Sequence, residues 1–201
     1  AEKHAERSDP EAVEIVVVEH QDGITICAVY PTPGNSRHEN RCAPGGDGHM
    51  NTRNNDVTVD FRVEVPAGVR FVPQTVNGDI RATDLRSDVL AITVNGGVVL
   101  STSGSAEART VNGSIEATMG EADWESEATF STVNGDISLN LPSTVNAEVH
   151  ARTVNGEIST DYPLTVQGRF GPRSIDGTLG DGGPTLDLET VNGEVALRRS
   201  N

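Results

Sequence analysis

The chain has 201 residues, a formal net charge of −15 and only 3% aromatic residues. The charge argues against nucleic acid or an anionic membrane surface as the main partner. So few aromatics argue against a thick globular core, whereas hydrophobic residues in regular alternation argue against disorder.

Residues 1–11 are polar and uncapped, and are expected to form a disordered tail. A first strand follows from Ala12 to Glu19, with a turn at Asp22-Gly23 and a second strand ending near Pro31. From 32 to 56 the sequence changes to loop chemistry, with Pro33-Gly34-Asn35 and Ala43-Pro44-Gly45-Gly46-Asp47-Gly48. Such a long connection without periodicity points to a functional or mobile loop. The two cysteines, Cys27 and Cys42, fit one disulfide that pins this loop to the second strand in an oxidising compartment. Val57 to Val65 alternates cleanly and reads as a strand. Residues 12–74 are therefore expected to be the cap and first rungs of one continuous domain, 12–201.

The rest of the chain, 75–201, is organised by the tetrapeptide Thr-Val-Asn-Gly. It begins at Thr75, Thr93, Thr110, Thr132, Thr153 and Thr190, and Ser174-Ile175-Asp176-Gly177 is a degenerate copy. The seven starts are 18, 17, 22, 21, 21 and 16 residues apart, a near-fixed period that indicates stacked units. Each box is followed by one polar residue and a short apolar strand, and a second strand runs back into the next box. The expected fold is an all-β, single-stranded β-solenoid of about 16–22 residues per rung, right-handed by the general rule for parallel crossovers.

Within the box, Asn and Gly are the residues that best enter positive φ, so each pair Asn77-Gly78, Asn95-Gly96, Asn112-Gly113, Asn134-Gly135, Asn155-Gly156 and Asn192-Gly193, with Asp176-Gly177, is expected to be a corner. Stacked at strand spacing, the Asn side chains would form an amide ladder. Thr continues the apolar face of the approaching strand. Val and the later Ile both look buried although four apart, which requires a bend at the box. Thr144-Val145-Asn146-Ala147 lacks Gly and reads as part of a returning strand.

At these residues the sequence resembles a group of bacterial domains of unknown function that carry the label adhesin. Their mark is recurrent Thr-Val-Asn-Gly with a hydrophobic residue two positions on, as in Thr75-Val76-Asn77-Gly78-Asp79-Ile80, and Val65-Pro66-Ala67-Gly68 is also similar. The resemblance covers roughly residues 12 to 197. It implies a β-solenoid in an extracytoplasmic location, periplasmic or at the cell surface, and supplies no catalytic residues.

Candidate sites are sparse. His38, Cys42, Asp47 and His49 share one loop and include zinc-ligating types, but their spacing matches no zinc pattern. Asp136 and Glu157 are expected to be vertical neighbours that calcium could bridge. No nucleophile elbow, phosphate loop or paired-His motif is present, and no cofactor is called for. The leading expectation is a non-catalytic, exported cell-envelope protein with an adhesin-like binding or scaffold surface, which meets a glycan or envelope ligand through the 32–56 loop and the insertion carrying Trp124. The rival is a carbohydrate-active enzyme using paired carboxylates. No run is apolar for the ~20 residues of a membrane span, and a start at Ala1 without Met fits an exported, processed fragment, although a trimmed cytoplasmic chain would look the same. Leu197-Arg198-Arg199 is expected at an uncapped end, so the chain is either monomeric or self-associates end to end.

Overall fold

A computed structural model describes residues 1–120 and 127–200. The chain divides into two compact units, Ala1–Glu64 and Val65–Asn201, in place of the single domain expected.

The first unit is built from two small antiparallel sheets. Strand β1 (Glu2–His4) precedes β2 (Glu14–His20) and β3 (Gly23–Val29), which form a hairpin, and β4 (Thr58–Asp60) pairs with β1. Residues 1–11 are thus ordered, contrary to expectation. The Asp56 carboxylate accepts the backbone N–H groups of Glu6, Arg7 and Ser8 at 3.3, 3.1 and 2.8 Å, and Lys3 pairs with Val59. The strand expected over 57–65 shrinks to Thr58–Asp60 because its partner β1 is only three residues long, and Phe61 and Val63 are left exposed. This unit contains no rungs, so the stack begins later than expected. The disulfide between Cys27 and Cys42 is present. Asn40 ties the base of the 32–56 loop together, its Nδ2 donating to the carbonyls of Tyr30 and Asn51 and its Oδ1 accepting from the Asn51 N–H.

The second unit is a β-solenoid. Its strands are β5 (Ile80–Leu85), β6 (Val89–Ile92), β7 (Val98–Thr102), β8 (Ala106–Arg109), β9 (Ile115–Met119), β10 (Ala128–Ser131), β11 (Ile137–Pro142), β12 (Ala147–Asn155), β13 (Ile158–Thr160), β14 (Thr165–Gly171), β15 (Ser174–Leu179), β16 (Thr185–Asn192) and β17 (Val195–Ser200). One sheet has the order β14-β15-β12-β16-β10-β8-β6 and the other β13-β17-β11-β9-β7-β5. Each rung places a strand in the first sheet, turns at a box and places a strand in the second. The first rung enters through Phe71 and Gln74, which bridge to Val89 and Ile92. Alternation sends one residue in two into a thin interior, filled by Ala91, Ala108, Ala117, Ala128 and Ala151 between Leu100, Ile115, Phe130, Leu139, Leu188 and Leu197.

The rungs do not follow the order of the chain. Down the stack the box asparagines run Asn77, Asn95, Asn112, Asn134, Asn192, Asn155. After β11 the chain passes through Ser143 to Asn146, skips one rung position and resumes in β12. The segment β16–β17, last in sequence, fills the position left open: β16 lies between β10 and β12, and β17 between β11 and β13. Leu197-Arg198-Arg199 is therefore interior to the stack and not at its edge.

The end beyond Asn155 is covered instead by the hairpin β14–β15, which runs antiparallel along β12. Pro172 and Arg173 accept the N–H groups of Ile158 and Thr153 at 2.9 and 3.0 Å, closing the last corner. The degenerate box is not a corner, since Asp176 and Gly177 lie inside β15, opposite His150 and Val149. A carboxylate has no N–H, so Asp176 cannot pass on an amide ladder in which every member both donates and accepts.

Candidate functional site

The box is occupied by the stack itself. Thr93, Thr110, Thr132, Thr190 and Thr153 are buried, and each hydroxyl donates to the glycine carbonyl of the rung above: Gly78, Gly96, Gly113, Gly135 and Gly193, at 2.9 to 3.1 Å. Thr fits because it is apolar enough to bury and carries one donor for an otherwise unpaired acceptor. The amide ladder expected from the sequence is present. The Nδ2 groups of Asn95, Asn112, Asn134, Asn192 and Asn155 donate to the preceding Oδ1 at 2.9, 2.8, 2.8, 2.7 and 2.8 Å.

Positive φ is found at only two of the box glycines, Gly78 at 148° and Gly135 at 159°, so a second reason is needed for the others. None of the box asparagines has positive φ. What excludes a side chain is the neighbouring rung. A Cβ on Gly96, Gly113, Gly135, Gly193 or Gly156 would stand 1.9 to 2.1 Å from the carbonyl oxygen of the glycine one rung away. Val is also misread from sequence, because Val76, Val94, Val111, Val133 and Val154 are exposed. The bend remains, since buried Thr and the buried residue five positions on, such as Thr93 and Val98, have opposite parity.

The residue after each glycine also faces the stack. Asp79 Oδ1 accepts the Gly97 N–H at 2.7 Å, Ser114 Oγ that of Asp136 at 3.0 Å, and Asp136 Oδ1 that of Glu194 at 2.8 Å. Asp136 and Glu157 are consequently not neighbours. The inserted rung puts Glu194 between them, and the Asp136 carboxylate is engaged by a backbone amide, which removes the geometry proposed for calcium. In the 32–56 loop, Cys42 is held in the disulfide and His38 and His49 meet edge to face at 5.6 Å. Among the described residues no group of three or more His, Cys, Asp or Glu side chains is arranged to hold a metal ion.

A groove that the sequence did not announce lies on the outer side of the first sheet, over β12 and its two neighbours β15 and β16. Its volume is about 540 Å³, and Arg152, Val154, Arg173, Ser174, Asp176 and Glu189 line it. Antiparallel pairing sets Arg152 opposite Ser174 and His150 opposite Asp176, while parallel pairing sets Arg152 beside Glu189. His150 Nδ1 is 2.9 Å from Asp176 Oδ1, and because a carboxylate only accepts, the ring proton sits on Nδ1. Arg152 Nη2 stands 3.8 Å from the same oxygen. Thr153 and Thr190 also border the groove, but their hydroxyls are engaged by glycine carbonyls. The lining thus carries two guanidinium groups, the Glu189 carboxylate, an Asp176 carboxylate already engaged by His150 and Arg152, a hydroxyl and an exposed valine side chain. Sequence reading missed them because their meeting depends on the register of an antiparallel strand that the repeat concealed. Trp124 lies outside the described residues.

No helix among the described residues is long and apolar enough to cross a membrane. Searches of curated proteins and of solved structures gave no match. Residues 47–198, well over half of the chain, match the family described as Toastrack DUF4097, a domain of unknown function with a β-solenoid-like fold. The repeated corners, the two sheets with parallel stacking and this match together place the chain in the Toastrack DUF4097 family.

Proposed function

We propose that the chain is a non-catalytic, extracytoplasmic binding domain with adhesin-like character, which presents a rigid solenoid face to a glycan of the cell envelope. The observation that carries this reading is the groove at Arg152, Arg173, Asp176 and Glu189. Guanidinium groups recognise carboxylates in two-point geometry, and neighbouring carboxylates and hydroxyls accept and donate to sugar hydroxyls. Val154, 56% exposed, offers an apolar surface to the C–H face of a ring. The ligand class that fits is a polyhydroxylated chain bearing carboxylates. The stack supports this role because its corners are fixed by ladders, so the groove is held in shape before a ligand arrives. The disulfide fits an oxidising compartment.

The test is binding of the soluble chain to a panel of neutral and acidic glycans, with Arg152→Ala and Arg173→Ala as variants. Acidic glycans are expected to bind, each variant weakening them about tenfold or more. Binding that ignores both substitutions rejects the groove, and turnover of a bound glycan rejects the non-catalytic assignment.

A further inference from the structure

The order of the rungs has a consequence for how copies of this chain meet. The position filled by β16–β17 is a slot, walled on one side by β10 and β11 and on the other by β12 and β13. The walls are tied to each other without the insert. Ser143 to Asn146 connects them directly, and Tyr162, which follows β13, donates its hydroxyl to the Leu141 carbonyl at 2.5 Å. The slot takes up the backbone, the box and four buried apolar side chains of the insert, Leu186, Leu188, Val195 and Leu197. The N–H groups of Thr132, Gly135 and Ile137 donate to the carbonyls of Glu189, Asn192 and Glu194, and those of Asn192, Gly193 and Val195 donate to Val133, Asn155 and Glu157. Asn192 and Thr190 complete the amide and hydroxyl ladders.

The insert reaches the slot through Gly180-Asp181-Gly182-Gly183-Pro184, a connection that must cross over β12, since β15 and β16 lie on its two sides. Gly180 and Gly182 hold φ of 58° and 80°, and the Asp181 N–H donates to Asn146 Oδ1 at 2.9 Å. The closed form thus depends on a glycine-rich hinge leading to a segment whose contacts would be the same if another molecule supplied it.

We propose that β16–β17 is an exchangeable rung, and that the partner of this slot is the β16–β17 segment of a second copy of this chain. Reciprocal exchange conserves every ladder contact in the slot and changes only the hinge, so concentration and hinge geometry set the balance between monomer and exchanged dimer. End-to-end stacking is a separate idea and a weaker one, because β14–β15 and the Pro172-Arg173 turn cover the far end of the stack.

Ser138 on β11 is the register partner of Ala196 on β17, and neither is fully buried. Full-length Ser138→Cys and Ala196→Cys chains, mixed at high concentration in dilute urea and returned to buffer, are treated with a short bis-maleimide. Exchange is expected to give linked dimers joined between positions 138 and 196, in the mixture and not in either variant alone. A second variant, Gly182→Pro, forbids the positive φ of the closed hinge and is expected to lower the concentration at which dimers form by about tenfold. A mixture that links no more than the single variants overturns the proposal, as does a folded Gly182→Pro chain that stays monomeric over the same range. If Gly182→Pro does not fold, the crosslink with the native hinge decides.

Discussion

Replacing Gly113 by Ala tests whether the box glycine is there for rung spacing. The new Cβ would lie 2.0 Å from the Gly96 carbonyl oxygen and 2.5 Å from its carbon. Relief requires the two rungs to part by about 1 Å at the corner, given a usual carbon-oxygen contact of more than ~3 Å. That movement breaks the Thr110 hydroxyl bond to Gly96, the Gly96 N–H bond to Asn112 and the Asn112–Asn95 amide bond, now 3.0, 2.9 and 2.8 Å. At about 1 kcal/mol each the loss is about 3 kcal/mol, and exposed core beneath the corner raises it to about 4. Reduced freedom of the unfolded chain returns about 0.4–1 kcal/mol, leaving a net destabilisation of about 3 kcal/mol. The control is the neighbouring Gly97→Ala, whose Cβ would meet the Ser114 carbonyl oxygen at an ordinary 3.4 Å. Urea unfolding followed by circular dichroism is expected to show a much lower midpoint for Gly113→Ala, with Gly97→Ala within about 1 kcal/mol of wild type. Equal midpoints for the two would refute the steric account and return the glycine to a role in backbone conformation.

Asn112→Asp keeps an acceptor for Asn134 but removes the Nδ2 donor to Asn95, and is expected to cost about 1–2 kcal/mol by the same unfolding measurement. Val111→Ser at the exposed box valine is expected to change stability by less than about 0.5 kcal/mol; a loss of 2 or more would mean the valine stripe is covered. Reduction of Cys27–Cys42, which closes a 15-residue separation, is expected to destabilise the first unit by about 3 kcal/mol, seen as faster amide exchange in β2 and β3. The Ser8 side chain, then the backbone N–H groups of Ser8, Arg7 and Glu6, hold the Asp56 carboxyl well below the ordinary carboxylate range. A folded pKa below the unfolded value means the contribution is complete above the unfolded pKa and is lost as pH falls through the folded one. The amide shifts of Glu6, Arg7 and Ser8 should therefore stay native at about pH 3 and move only under stronger acid; a midpoint in the usual carboxylate range counts against this carboxylate as the anchor.

The parts legible in the sequence were those set by neighbours along the chain. The period of the box, the Asn ladder, the buried Thr and the single disulfide all follow from local residue types repeated at strand spacing. Where one residue admits two physical reasons, local reading chose the commoner. Asn-Gly suggested positive φ, but Gly113 is required by an oxygen one rung away. Val76 and Val94 suggested burial, but parity carries them outward. The segment 1–11 suggested disorder because its order comes from Asp56, some fifty residues distant. His150 and Asp176 meet only because β15 reverses direction against β12.

By itself the sequence determined that this protein is a stack of short strands turning at identical corners, since six copies of one word leave no other economical way to bury alternate residues. It did not determine which rung lies on which. Every corner offers the same amide, the same hydroxyl and the same glycine carbonyl, so the words are interchangeable as neighbours. Only the tertiary structure decided that Asn192 follows Asn134 and that Asn155 follows Asn192. The physical reason is that a repeated recognition element specifies contact but not order. Order comes from the connections, here the skip at Ser143 to Asn146, the hinge at Gly180 to Pro184 and the hairpin that closes the last rung.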